Sequence, residues 1–394
     1  MDAAKRNVLI LAACQTLYMS GTTLMISTSP LIGQQLAPDP QWATVPLAAH
    51  HCGVMAATIP ASQIMRFIGR RNGFMMATLF GMVGAAIAGS AILHAWFWVF
   101  CLGVFVVGWF NGFAVFYRFA AADISTPEFR PKAISWVLTG GLFAALLGPQ
   151  LANLTKDLLS PVLYAGSYFA MIGLYVANLI LVSFVRIPRL TAAERSTSGR
   201  PLLQILAQPK CFVAIITAFV SYGVMSLLMT STPLAMIACG FEFSDSAMVI
   251  SAHVIGMFAP SFFTGNLIIR HGPLKIILIG VIINVICVGV DLAGVHIANF
   301  AIGLFLLGVG WNFMFIGATT LLTEVHSPSE RAKIQGFNDF LIFGTITMAA
   351  LSSGNLLHFF GWQIVNYGVL PFLVAVLLLV LWLARSRHSK TSAA

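Results

Sequence analysis

Runs of about twenty or more predominantly apolar residues recur along nearly the whole chain, and few folds accommodate them. A helix that crosses a bilayer needs about 20 such residues. In hydrocarbon the backbone must satisfy its own hydrogen bonds, which leaves helices or closed barrels. Twelve runs have the length of helical spans: 8–31, 42–65, 73–93, 96–122, 133–154, 162–185, 211–236, 247–268, 274–295, 300–322, 334–355 and 362–384. Only 8% of the 394 residues are charged and mean hydropathy is +0.91, whereas a typical soluble domain is about 25% charged. The chain therefore reads as an all-α membrane protein, not as a soluble enzyme. Lys5 and Arg6 precede an apolar run too long for a signal peptide, so no cleaved leader is expected.

The connections are short except for one basic segment, 186–210, which carries Arg189, Glu194, Arg195 and Arg200 and separates six spans from six. This predicts an N-terminal six-helix bundle over 1–185, a cytoplasmic middle loop over 186–210 and a C-terminal six-helix bundle over 211–394. Assigning Lys5 and Arg6 to the cytoplasm brings Arg66, Arg70, Arg71, Arg118, Arg130, Lys132, the middle loop, Arg270, Lys275, Arg331, Lys333 and Arg385 to the same side. Of 21 basic residues only Lys156 falls outside, while Asp39, Asp157, Glu242, Asp245 and Asp291 go to the outer ends. Such a bias places both termini in the cytoplasm of a multi-pass inner-membrane protein. It also accounts for the net charge of +9 through topology, without a nucleic-acid partner.

The two halves repeat. Ser27-Thr28-Ser29-Pro30-Leu31 returns as Thr230-Ser231-Thr232-Pro233-Leu234, and Pro30 to Pro233, His50 to His253 and Gly69 to Gly272 share an offset of 203. Gly108-Trp109-Phe110-Asn111 is echoed by Gly310-Trp311-Asn312, and the loop 123–132 by 324–333. Internal repeats of this size, with an even number of spans in each, predict parallel halves related by an axis along the membrane normal.

With twelve spans, a basic middle loop and the segment Ser62-Gln-Ile-Met-Arg66-Phe-Ile-Gly69-Arg70-Arg71, the chain resembles the major facilitator superfamily over essentially its whole length. That segment is similar to the family signature between spans two and three. Ser62 stands where a Gly is usual and Arg66 where an Asp is usual, which leaves the family's gate-clamping charge relay without that Asp. The second copy, Gly265 to Gly272, lacks it too. Gly148-Pro149 matches a fragment of an exporter motif, and the arginine usual in span four of many proton-coupled members is absent. Tyr117-Arg118-Phe119-Ala120-Ala121-Ala122-Asp123, with the runs 59–62 and 68–74, is similar to a group of proteobacterial facilitators that includes the bacterial riboflavin uptake transporters. The resemblance implies transport of a small organic solute, with riboflavin as the specific expectation.

Several residues are candidates for the site and its gates. His50 and His253 lie about eight residues from the outer ends of their spans, roughly 12 Å deep at 1.5 Å per residue. Ionisable groups at that depth face a protein interior or a polar cavity, and imidazole suits proton exchange or hydrogen bonding to a solute. A neutral histidine bonded to a backbone carbonyl is the competing reading. Asn111 and Asn312, beside Trp109 and Trp311, combine amide groups with flat aromatic faces, as solute pockets do; helix bridging by the asparagines is the alternative. Pro30 and Pro233 sit among hydroxyls that can re-satisfy a kinked helix and mark an outer gate or hinge. Arg70, Arg71, Arg118 and Asp339 belong to an inward gate, where Asp123, Glu128, Arg130, Glu324 and Arg331 are available partners. Where such a charge does not pair, it snorkels to the interface.

No nucleophile–base pair, metal motif such as H-E-x-x-H, or phosphate loop G-x-x-x-x-G-K-[ST] is present, and the six cysteines are scattered without metal spacing. No catalytic residue, metal or cofactor is expected. The reading is a monomeric secondary transporter in the lipid bilayer, moving a small organic solute by alternating access. The alternative is proton-coupled export of drugs or metabolites, against which stands the lack of a carboxylate at the membrane centre.

Overall fold

In a computed structural model of the protein, the described residues are 3–39, 42–188 and 199–391. Among them no strand occurs. The helices run α1 (Ala3–Leu36), α2 (Val45–Ile68), α3 (Arg70–Leu93), α4 (Phe97–Ala114), α5 (Tyr117–Asp123), α6 (Arg130–Thr155), α7 (Ala165–Phe184), α8 (Leu202–Leu206), α9 (Pro209–Ala238), α10 (Phe243–Phe258), α11 (Ser261–His271), α12 (Pro273–Leu292), α13 (Ile297–Thr323) and α14 (Arg331–Thr391). Gly361, at φ 75° and ψ 170°, interrupts α14. The middle-loop residues Arg189, Glu194 and Arg195 lie outside the described residues.

Ten stretches among the described residues are long and apolar enough to cross a membrane, with α4–α5 joined as Phe97–Asp123 and α10–α11 as Met248–His271. The two remaining runs of the sequence reading also form helices: α2, which falls short of the others in apolarity, and the start of α14. The α2 helix carries His50, His51, Gln63 and Arg66, and the start of α14 carries Gln335, Asn338 and Asp339. Two of these polar residues, His50 and Asp339, are among the candidates named from the sequence. Outward faces are apolar, as lipid requires: on α7, Val176, Ile180 and Phe184 are 42%, 53% and 62% exposed. Cys52 and Cys239 are also exposed, and the other four cysteines are buried.

Contacts divide the chain into two compact units. One comprises Met1–Thr126, Trp136–Ser198 and Pro328–Phe343; the other comprises Pro127–Ser135, Gly199–Ser327 and Gly344–Ala394. This follows the two halves of the sequence except that 127–135 and 328–343 each pack with the unit of the other half.

The duplication is visible in the backbone of each unit. Gly69 (φ 85°, ψ 152°) links α2 to α3, and Gly272 (φ 81°, ψ 156°) links α11 to α12, a conformation that side-chain-bearing residues rarely adopt. Gly108 of α4 faces the carbonyl of His50 where a Cβ would stand, and Gly308 of α13 faces the carbonyl of His253 in the same way. Gly53 and Gly256 likewise meet the carbonyls of Phe105 and Phe305. These contacts correct the alignment of the repeat in this helix. Gly112 packs on the carbonyl of Val54, and Asn312 bonds the carbonyl of Met257, so Asn312 occupies the place of Gly112 and Trp311 that of Asn111.

Candidate functional site

In the first unit α1, α2 and α4 bring three polar side chains together. Thr22 donates its hydroxyl proton to the carbonyl of Tyr18 at 3.1 Å, so toward Asn111 it can only accept. Asn111 Nδ2 therefore donates to Thr22 Oγ1 at 2.7 Å and, with its second proton, to His50 Nε2 at 2.8 Å. Nε2 being the acceptor, the imidazole proton sits on Nδ1. His50 and Asn111 are 3% and 2% exposed. Among the described residues His50 Nδ1 and Asn111 Oδ1 have no hydrogen-bond partner. Buried polar atoms are nearly always paired, and here one donor and one acceptor stand open on adjoining side chains.

Aromatic side chains of α1, α4, α5 and α7 pack against one another in the same unit. Tyr18 meets Phe110 edge-on at 6.3 Å and Tyr117 at 6.0 Å, and Phe110 meets Tyr175 at 4.9 Å. Trp109 is half-buried, and no hydrogen bond or ring contact joins it to His50 or Asn111. Thr22 escaped the sequence reading because a lone threonine in an apolar helix carries no signal of its partner.

The second unit places its counterparts differently. His253 Nδ1 bonds the carbonyl of Leu304 at 2.8 Å, which is the helix-bridging arrangement weighed against function; its Nε2 is without a partner. Asn312 donates to Met257 O and Ser261 Oγ, both at 2.6 Å, and accepts from Thr264 Oγ1 at 2.7 Å. Both its amide protons and its carbonyl oxygen are engaged in stitching α13 to the break between α10 and α11. Trp311 is buried and stacks on Phe315 at 5.1 Å, with Tyr222 edge-on at 5.2 Å, and its Nε1 has no partner.

The charged candidates divide into two sets in the first unit. Arg118 pairs with Asp339, which also accepts from Asn338 Nδ2 at 2.8 Å, and Arg118 donates to Val115 O at 2.6 Å. Both members are buried, so neither snorkels, and they pair with each other. Asp123 is shared instead by Arg70 at 2.6 Å and Arg331 at 2.8 Å, and Arg70 also donates to Gln335 Oε1 at 2.8 Å. Arg71, next in sequence, is exposed and joins neither set.

Pro30 and Pro233 lie inside continuous helices, α1 and α9. The flanking hydroxyls of Thr28 and Thr232 bond Leu24 O and Leu228 O, not the carbonyls four residues before each proline. Asp291, expected at an outer interface, is 2% exposed, with Cys287 Sγ 3.6 Å from its Oδ2. A position near a helix end did not imply exposure, because Trp362 and Asn299 close over that end through the carbonyls of Asp291 and Val290. No group of three or more potential metal-ligating side chains occurs among the described residues.

Comparisons with known proteins agree with this architecture. The family model described as Major Facilitator Superfamily matches residues 11–259 and 214–394. The chain is 40% identical over 377 residues to the riboflavin transporter RfnT of Brucella anthropi, covering 95% of each chain. It is 26% identical to an uncharacterized facilitator-type transporter, YdeG, of Bacillus subtilis, covering 86% of this chain and 82% of that one. Among solved structures, the human organic anion transporter MFSD10 superposes with a TM-score of 0.79 at 14% identity, covering 96% and 100% of the two chains. The transporter FucP gives 0.76 at 16% identity, covering 97% and 99%. The chain belongs to the Major Facilitator Superfamily, a family of secondary transporters and not of enzymes.

Proposed function

We propose that this transporter takes riboflavin up across the inner membrane by alternating access, and that His50 and Asn111 contact the vitamin. The observation that carries this reading is the pair of buried atoms, His50 Nδ1–H and Asn111 Oδ1, that offer one donor and one acceptor without partners among the described residues. The flavin ring system presents carbonyl oxygens flanking an N–H, so it complements a donor beside an acceptor. Its planar rings suit an aromatic surface, and Tyr18 stands one turn from Thr22 on α1. Identity of 40% over nearly the full length of a riboflavin transporter supports the same substrate.

In this reading the Arg118–Asp339 pair and the Arg70–Asp123–Arg331 set hold the basic ends of the helices closed and separate when the path opens inward. The charge distribution supports cytoplasmic termini, and the protein functions as a monomer with a six-helix bundle on either side of the 186–210 loop.

The test is growth of a riboflavin-auxotrophic bacterium lacking its own importer, at low micromolar riboflavin. The gene restores growth, and His50→Ala or Asn111→Ala abolishes the rescue with unchanged membrane levels of protein. If the wild-type protein reaches the membrane and growth is not restored, riboflavin uptake is wrong and export of another solute takes its place.

A further inference from the structure

A shallow groove at one end of α1, α3 and α7 is lined by Arg6, Ile10, Arg71, Ser183, Phe184 and Arg186. It continues along Asn72, Val185 and Ile187. All three arginines are exposed, and among the described residues none of their guanidinium groups has an ion-pair or hydrogen-bond partner and no acidic side chain lines the groove. Three like charges gathered without a counter-ion among the described residues repel one another, which favours an anionic occupant.

The gathering is built into the fold. Asn7, 5% exposed, donates Nδ2 to Arg186 O at 2.9 Å and accepts the Arg186 N–H on Oδ1 at 3.3 Å. That two-way bond ties the peptide of Arg186 to α1, one residue from Arg6. Arg70 and Arg71 open α3 directly after the left-handed Gly69, and they divide the work: Arg70 is held by Asp123 inside the unit, and Arg71 stands in the groove. Phe184 forms one wall, and Ile180 and Val176, four and eight residues earlier on α7, continue an exposed apolar stripe away from it.

We propose that this groove binds an anionic phospholipid, with the phosphate among Arg6, Arg71 and Arg186 and an acyl chain along Phe184, Ile180 and Val176. Basic clefts at the ends of membrane helices are the features that recognise anionic headgroups. Planar guanidinium groups match phosphate oxygens in pairs.

The test uses the purified full-length protein in zwitterionic nanodiscs, titrated with phosphatidylglycerol, phosphatidylcholine or inorganic phosphate. Bound lipid is counted by native mass spectrometry and stability is followed by thermal melting. Phosphatidylglycerol is expected to be retained and to raise the melting temperature, with no effect from the other two. Arg71→Gln and Arg186→Gln each weaken its retention about fivefold, while Lys275→Gln, an exposed basic residue outside the groove, does not. Equal retention of phosphatidylcholine, unchanged binding by the Arg71→Gln/Arg186→Gln double variant, or the same melting shift from phosphate alone would overturn the lipid site.

Discussion

Asn111 and His50 are joined by a 2.8 Å hydrogen bond from the amide nitrogen to Nε2, and through Thr22 that bond fixes which ring nitrogen carries the proton. The consequence is a donor on His50 and an acceptor on Asn111, both buried and both without a partner among the described residues.

Removing either group should therefore act on binding. A hydrogen bond lost in a buried site costs about 1–3 kcal/mol when its partner is left unpaired. His50→Ala and Asn111→Ala are expected to raise the apparent KM for riboflavin uptake roughly ten- to hundredfold at that cost. Initial rates of radiolabelled riboflavin uptake into cells, normalised to membrane protein, check this. An unchanged KM in both variants would remove the pair from the binding site.

Asn312 presents the opposite case. Its three hydrogen bonds to Met257, Ser261 and Thr264 leave nothing for a ligand, so Asn312→Ala should lower stability by about 1–3 kcal/mol. Thermal melting of the detergent-purified variant is expected to fall while the KM of the surviving transporter stays near wild type.

The Arg118–Asp339 pair is buried, and removing one member of a buried ion pair typically costs about 3–5 kcal/mol because the other charge is stranded. Arg118→Met and Asp339→Leu should each reduce the yield of folded protein sharply. The double variant should recover most of that loss, since a neutral apolar pair replaces the ions. If the pair also gates transport, the recovered double variant folds without regaining wild-type uptake.

Gly108 and Gly308 make the same close approach to a histidine carbonyl in their own units. Adding a methyl group at either site forces the helices apart, at about 1–3 kcal/mol for overpacking. Gly108→Ala and Gly308→Ala are therefore expected to destabilise alike in melting experiments. Only Gly108→Ala should also raise the KM for riboflavin, because only His50 holds its hydrogen bond to an asparagine across that contact.

The sequence by itself determined the helical membrane fold, the duplication and the identity of the polar residues placed at depth. Each follows from chemistry that a chain carries locally: apolar runs of bilayer length, glycine where the backbone turns left-handed at Gly69 and Gly272, and histidine where hydrocarbon tolerates no idle polar group. Only the tertiary structure decided which of these residues meet. Successive helical residues point about 100° apart, so aligning Asn312 with Asn111, one position from its structural counterpart Trp311, turns the side chain to another face. The symmetric set of two histidines and two asparagines legible in the repeat thus becomes one open pair, His50 with Asn111, and two separate structural bridges, His253 to Leu304 and Asn312 to the α10–α11 break. The charges were assigned the same way: residue type placed Arg70, Arg118, Asp123 and Asp339 at helix ends, but burial selected the partners. An ion withdrawn from water must pair with the opposite charge at its own depth, and that depth is a property of the packed helices.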